Sequence, residues 1–313
     1  MDVVLLFPGQ GSQKPGMGKD LAEAFPAAAD VFERADAALQ LPLSRLCFEG
    51  PADELTLTQN AQPALLAHSA AAWAATRDVI GADVVAAAGH SLGEFTAYQA
   101  AESLSLDDAL RVVRRRGELM FQAGVDRPGG MAAILGDTNP SIEEICARAT
   151  REAGLVVPAN YNSPGQIVVS GEDAGVERAL TIAKESGAKR GVRLKVSGAF
   201  HSPLMESAAG GLAEALAKPD FGTPHFVVYA NVTAEPVIES GRAKALLLDQ
   251  LTQPVRWTDV IGALAARDPD ALFLEMGPGS VLVGRVRKIA PHLKTATCGT
   301  AAEVGQLRGQ VTA

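Results

Sequence analysis

Two stretches of this sequence carry side chains suited to carbonyl chemistry. The first is Gly89-His90-Ser91-Leu92-Gly93, a G-x-S-x-G inside VVAAAGHSLGEF. A small-apolar run precedes it and a proline-free, helix-like run follows it. A serine at a sharp strand-to-helix turn stands clear of the sheet, and flanking glycines let other backbone approach closely. Ser91 Oγ is therefore placed to attack a carbonyl. The main-chain N–H of Leu92, at the start of the helix, can receive the oxyanion that forms. Without partners elsewhere, the same pentapeptide is a tight turn with an incidental serine.

The second stretch is VSGAFHSPLM, which contains His201. A serine nucleophile needs a base, and the chain has five histidines. His68 lies in an Ala/Leu helix. His90 adjoins the serine, but neighbouring side chains at an elbow point apart. His225 follows Thr-Pro at a strand start, and His292 follows a proline near the end of the chain. His201 falls where the chain passes from one unit to another, the kind of junction that lines a cleft. Elimination and location make it the candidate general base.

The first apolar run ends in FPGQGSQKPGMG. A phosphate-binding Walker loop fails here, because Met17-Gly18 stand where Lys-Ser/Thr is required. A dinucleotide loop fails because Lys14 stands where glycine is required. In serine hydrolase-like folds a second oxyanion donor comes from a loop after another strand. The N–H of Gln10 is the candidate, paired with that of Leu92.

One cation is out of place. In LDDALRVVRRRGELMFQAG, helical phase puts Arg111, Arg114, Arg115 and Glu118 on one face. Arg116 falls instead with Val112, Val113 and Met120, and should point inward. A buried guanidinium needs an anion, and its planar fork suits a carboxylate. That anion is either a protein acid, which makes Arg116 structural, or a carboxylate on the substrate.

The elements that must position these residues alternate. Residues 3–7 and 84–88 read as strands. Residues 21–39, 61–76, 92–101 and 106–123 read as helices. This is the pattern of an α/β unit with a largely parallel sheet. After GVDRPGG the order becomes βαββαβ, with two strands meeting at Ser163-Pro164-Gly165, the signature of a ferredoxin-like unit. The α/β pattern then resumes through HFVVYAN, two helices and ALFLEMGPG. The expected organisation is a discontinuous large domain, residues 1–125 and 198–313, with a small domain inserted at 126–197.

Composition excludes several classes. The 313 residues are 47% hydrophobic and 20% charged, ordinary for a globular enzyme. A net charge of −8 argues against a nucleic-acid binder. No apolar run approaches the roughly 18 residues of a membrane span. The N-terminus carries an acid where a signal peptide has basic residues, so a cytoplasmic protein is expected. Cys47, Cys146 and Cys298 show no metal-type spacing and are too few for a disulfide scaffold.

Across nearly its whole length the chain resembles the malonyl-CoA:acyl carrier protein transacylases of fatty-acid synthesis. The motifs are FPGQGSQ, TQNAQPAL, GHSLGEF, RRRGELM, NSPGQIVVSG, GAFHSPLM, QPVRW and EMGPG. The resemblance implies an α/β-hydrolase-like core with a ferredoxin-like insert. It implies Ser91 as nucleophile, His201 as base, Arg116 as carboxylate receptor and Gln10 on the oxyanion loop. It also implies that a main-chain carbonyl, placed at Gln250, orients His201 in place of a triad acid. Gln253 departs from the small polar residue expected beside it. Gln62 is expected to border the acyl pocket, and Phe200 to accompany malonyl rather than branched substrates. The implied reaction is ping-pong, from malonyl-CoA to the phosphopantetheine thiol of acyl carrier protein. A monomer with no metal or cofactor is expected. The rivals are a polyketide-synthase acyltransferase, a malonate decarboxylase loading subunit, a serine esterase or thioesterase, and an inactive scaffold. A carrier protein is acidic, so docking needs a basic patch. Lys189, Arg190, Arg193 and Lys195 form one candidate, and Arg285, Arg287 and Lys288 another.

Overall fold

Strands of two separate sheets organise the computed structural model, which describes residues 1–311. In chain order they are β1 (Val3–Phe7), β2 (Val84–Gly89), β3 (Gly130–Leu135), β4 (Val156–Ser163), β5 (Gln166–Gly171), β6 (Arg190–Arg193), β7 (Val227–Tyr229), β8 (Pro236–Val237), β9 (Leu272–Glu275) and β10 (Lys294–Thr297). The first sheet has the order β10-β9-β1-β2-β7-β8. Its pairings are parallel except β7 with β8.

Strands β1 and β2 lie at its centre, and β1 is buried along its whole length. Both faces are covered, which is why these strands read as continuous apolar runs. The pleat sorts their residues. Leu5, Phe7 and Ala87 enter the core on one face, while Val4, Leu6, Ala86 and Ala88 enter the core on the other.

The second sheet, β4-β5-β3-β6, is antiparallel throughout. Helices Ile142–Glu152 and Asp173–Glu185 cover one of its faces through Ile145, Ala149, Val176 and Ile182. Ser141 and Glu144 close the first of these helices with a reciprocal capping box. The turn between β4 and β5 falls at Ser163–Gln166, where Gly165 adopts φ 68°. A loop at Val255, outside both sheets, is tied to β4. Tyr161 N–H donates to Val255 O at 2.9 Å, and Val255 N–H donates to Ala159 O at 2.9 Å. The cleft between the sheets holds the candidate site.

The expected helix over 21–39 is two helices, Lys19–Ala24 and Pro26–Leu39. Phe25 is extended, at φ −130° and ψ 114°, because a residue before proline is driven out of the α region. Helix Thr58–Ala74 tolerates Pro63 in its interior. Proline removes the N–H that would bond the carbonyl four residues back, at Gln59. Arg114 Nη1 takes that carbonyl instead, at 3.0 Å. Unforeseen elements include helices Leu43–Glu49, Ala209–Ala217 and Val281–Ile289 and the short edge strands β8 and β10. Among the described residues no helix is long and apolar enough to cross a membrane.

Candidate active site

Ser91 sits between the end of β2 and helix Gly93–Ala100, with φ 53°. A non-glycine residue in that region costs on the order of 1–3 kcal/mol and must be held there. The hold is visible. Asn231 Oδ1 accepts the Ser91 N–H at 2.7 Å, while Asn231 Nδ2 donates to Gly89 O at 2.7 Å. The two glycines of the motif are required by contact. A Cβ on Gly89 would lie 1.9 Å from Gly93 C, and one on Gly93 would lie 2.1 Å from Phe7 O. The elbow is thus folded tightly onto itself and onto the end of β1.

His201 lies on the same cavity as the serine and contacts it directly. Its Nε2 lies 2.8 Å from Ser91 Oγ, and its Nδ1 lies 2.7 Å from the main-chain oxygen of Gln250. A carbonyl only accepts, so Nδ1 carries the proton and Nε2 presents its lone pair to the serine. No carboxylate touches the imidazole among the described residues. Burial, and then the Arg116 charge, push the His201 pKa from 6.5 to about 4. The ring is therefore neutral, and competent as a base, well below neutral pH. Its NMR resonances should titrate near pH 4, and acyl loading should retain its base down to that range. A ring that titrates near 6.5 would contradict this environment.

Arg116 is 1% exposed. Its Nη1 donates to Gln62 Oε1 at 2.6 Å, and its Nη2 donates to Gln250 Oε1 at 3.0 Å and to Ser91 Oγ at 3.2 Å. Its Nε has no partner among the described residues. The Phe95 ring lies 5.5 Å from the guanidinium carbon. Burial lowers the Arg116 pKa to about 10, and Glu94 partly offsets this. The side chain remains a cation, yet no acid lies within ion-pair distance. The nearest buried acid is occupied elsewhere. Glu94 Oε2 accepts from Gln250 Nε2 at 2.6 Å and from Asn231 N–H at 3.0 Å, and burial raises its pKa to about 7. Arg116 is thus held by neutral amides beside Ser91 Oγ, with its charge unmatched.

A cavity of about 440 Å³ opens over this arrangement, lined by Gln10, Gln62, Ser91, Arg116, Phe200 and His201 among others. Leu92 also lines it, while Gln250 stands behind, fully buried. The N–H groups of Gln10 and Leu92 have no acceptor among the described residues. The eight residues singled out from the sequence therefore converge on one place. Sequence reasoning missed Asn231, Glu94 and Thr58. It also missed the contact between His90 Nε2 and Asn162 Oδ1 at 2.8 Å, which joins the elbow to β4. In the two basic clusters Lys189, Arg190, Arg193 and Lys195 are exposed, as are Arg287 and Lys288. Asp173 and Glu177 hold Arg193, and Arg285 lines the cleft, where burial lowers its pKa to about 10 against the pull of Glu275. Among the described residues no group of His, Cys, Asp or Glu is placed to hold a metal ion.

An elbow serine, an imidazole on its hydroxyl and unpaired amides on the same cavity are the parts of an acyl-transfer site. Residues 4–313 match the acyl transferase domain family, and the chain belongs to it. The malonyl CoA-acyl carrier protein transacylase of Bacillus subtilis (strain 168) is 47% identical over 293 residues, covering 94% of this chain and 92% of the relative. A solved acyl-carrier-protein-S-malonyltransferase from Bartonella henselae superposes with a TM-score of 0.94 at 43% identity, covering 100% of both chains. A malonyl-transacylase solved in complex with its type II PKS acyl-carrier protein superposes with a TM-score of 0.93 at 38% identity, covering 99% of this chain and 100% of that one.

Proposed function

We propose that this chain moves malonyl from coenzyme A to the phosphopantetheine thiol of acyl carrier protein, in fatty-acid synthesis, through a malonyl-serine. The observation that carries this reading is Arg116, a buried cation with no acid in ion-pair reach among the described residues, 3.2 Å from Ser91 Oγ. A malonyl group attached at that oxygen carries a carboxylate into reach of it. In the first half-reaction Ser91 gives its proton to His201 Nε2 as Oγ attacks the thioester carbonyl. The N–H groups of Gln10 and Leu92 receive the oxyanion. Collapse expels the coenzyme A sulfur, which takes the proton from His201. In the second half-reaction the carrier thiol gives its proton to His201 and attacks the malonyl-serine, and Ser91 regains the proton as it leaves.

The finer fold reading is that residues 1–125 and 198–313 form an α/β-hydrolase-like domain and 126–197 a ferredoxin-like insert. Its support is the βαββαβ order with strand order β4-β5-β3-β6. A cytoplasmic location is supported by three cysteines that are all buried and unpaired.

Coenzyme A release tests the function. With malonyl-CoA alone one equivalent should be released; with carrier protein added, release should turn over. An esterase would turn over without the acceptor, and an inactive scaffold would release nothing. Phe200, 5% exposed, narrows the cavity beside His201. In the same assay methylmalonyl-CoA should therefore react about 10- to 200-fold more slowly than malonyl-CoA, the scale of one methyl in an apolar pocket. Equal rates would remove Phe200 from substrate selection. The polyketide reading shares this chemistry, and a panel of carrier proteins in the assay separates it.

A further inference from the structure

Thr58 belongs to neither the nucleophile nor the receptor, yet it touches both sides of the site. It is the first residue of helix Thr58–Ala74 and is completely buried. Gln62 Nε2 lies 2.9 Å from its hydroxyl, and the hydroxyl lies 2.9 Å from Gln10 Oε1. The direction of these bonds is dictated from one end. A guanidinium only donates, so the Gln62 atom 2.6 Å from Arg116 must be its carbonyl oxygen. The Gln62 amide nitrogen then faces Thr58 and donates to it. The Thr58 proton is left for the remaining neighbour, the carbonyl oxygen of the Gln10 side chain. The result is one directed chain, Arg116 to Gln62 to Thr58 to Gln10.

The backbone of Thr58 is clamped where this chain needs it. A Cβ on Gly117 would lie 2.8 Å from Thr58 O and 2.6 Å from Gln59 Cα, so glycine beside Arg116 lets the two helices meet here. Arg114 ties the next carbonyl, at Gln59, and also Asn60 Oδ1 at 2.6 Å. Gln10 has no comparable tie. Its loop bears glycines on both sides, and its side chain is anchored through Thr58.

We propose that Thr58 is a positioning residue that couples the carboxylate receptor to the oxyanion loop, holding Gln62 against Arg116 with one bond and Gln10 over Ser91 with the other. This rests on the transfer reading above for the roles of Gln10 and Arg116. A loosened Gln10 misplaces an oxyanion donor for every acyl group. A loosened Gln62 misplaces Arg116 only for an acyl group with a distal carboxylate.

The test uses Thr58→Val, which keeps the branched shape without the hydroxyl, with Thr58→Ser, Gln10→Met and the Thr58→Val/Gln10→Met pair. Loading kinetics with malonyl-CoA and acetyl-CoA are measured on each, with melting temperature. Thr58→Val should lower kcat about 10- to 100-fold with both donors, the scale of a small misplacement at the reacting centre. It should raise KM for malonyl-CoA alone. Thr58→Ser should restore most of the rate. Gln10→Met should reproduce the loss in kcat, and the pair should lose no more than either single variant, because both changes break one link. An unchanged kcat in folded Thr58→Val overturns the proposal, as do losses that multiply in the pair. If valine at 58 does not fold, Gln10→Met decides: wild-type kcat there overturns the proposal as well. Failure of the wild-type protein to take malonyl would sink the transfer reading instead. The relay is judged from ratios between variants with any thioester that Ser91 accepts.

Discussion

Ser91→Ala, His201→Ala and the double variant should all lose malonyl loading to the same floor, about 10⁶-fold below the wild-type rate. Intact-mass spectrometry after mixing with malonyl-CoA should show one added malonyl group on the wild-type protein and none on these variants. The common floor follows from the geometry. With Nδ1 bound to Gln250 O, the imidazole has one free lone pair, and that lone pair meets Ser91 Oγ at 2.8 Å. A serine without the base keeps its proton, and a base without the serine has no nucleophile to activate, so the second loss adds nothing to the first. Folding should be spared in Ser91→Ala, because Asn231 holds the elbow through the backbone N–H and not through the hydroxyl. Adduct on the Ser91→Ala protein would place the nucleophile elsewhere. A double variant far slower than either single one would mean that serine and histidine act independently.

How much of this was legible beforehand depends on the range of the signal. Strands β1 and β2 were visible because burial on both faces leaves a local trace, an unbroken apolar run. The two glycines around Ser91 were visible because contacts of 1.9 and 2.1 Å leave room for no other residue. Arg116 was visible because helical phase is also local: its neighbours at three and four residues are apolar, and it lies buried with them. The polar frame was not visible. Asn231 is 140 residues from Ser91, and Gln250 is 156 from Glu94. Nothing about an asparagine after a short strand says which backbone it will brace. Glu94 even misleads, since a glutamate in the first turn of a helix reads as solvated, yet it is fully buried. Thr58 lay unnoticed for the same reason, as one of its two partners, Gln10, is 48 residues away in the loop after β1. The missed edge strands, β8 with two residues and β10 with the sequence KTAT, are too short or too polar to show a period.

Arg116→Ala should reduce malonyl loading by about two to three and a half orders of magnitude and leave acetyl loading flat or raised. Malonyl and acetyl thioesters differ by one carboxylate. In the proposed roles, Ser91, His201 and the Gln10 and Leu92 amides would meet the same carbonyl in both, so they would not tell the substrates apart. Discrimination must come from a group that meets the distal carboxylate. Arg116 is buried beside Ser91 Oγ with amide oxygens from Gln62 and Gln250 and no acid, so its charge is matched only when a carboxylate arrives. Leaving one member of a buried ion pair alone costs roughly 3–5 kcal/mol, which at about 1.4 kcal/mol per decade sets the expected loss. Two further effects act on acetyl loading in opposite directions. Removing Arg116 takes a donor from Ser91 Oγ, which weakens the nucleophile's support. It also removes a cation that holds the His201 pKa down, which makes the base stronger. Their opposition is why the acetyl rate should move little while the malonyl rate collapses. A purely structural Arg116 predicts a different pattern, with both rates lost and the melting temperature lowered, because Gln62 and Gln250 would lose the cation they surround. Both loading rates and the melting temperature should therefore be measured on one preparation. Malonyl and acetyl rates that fall together in a well-folded variant would show that the carboxylate is read elsewhere, and the substrate assignment would lose the observation that carries it.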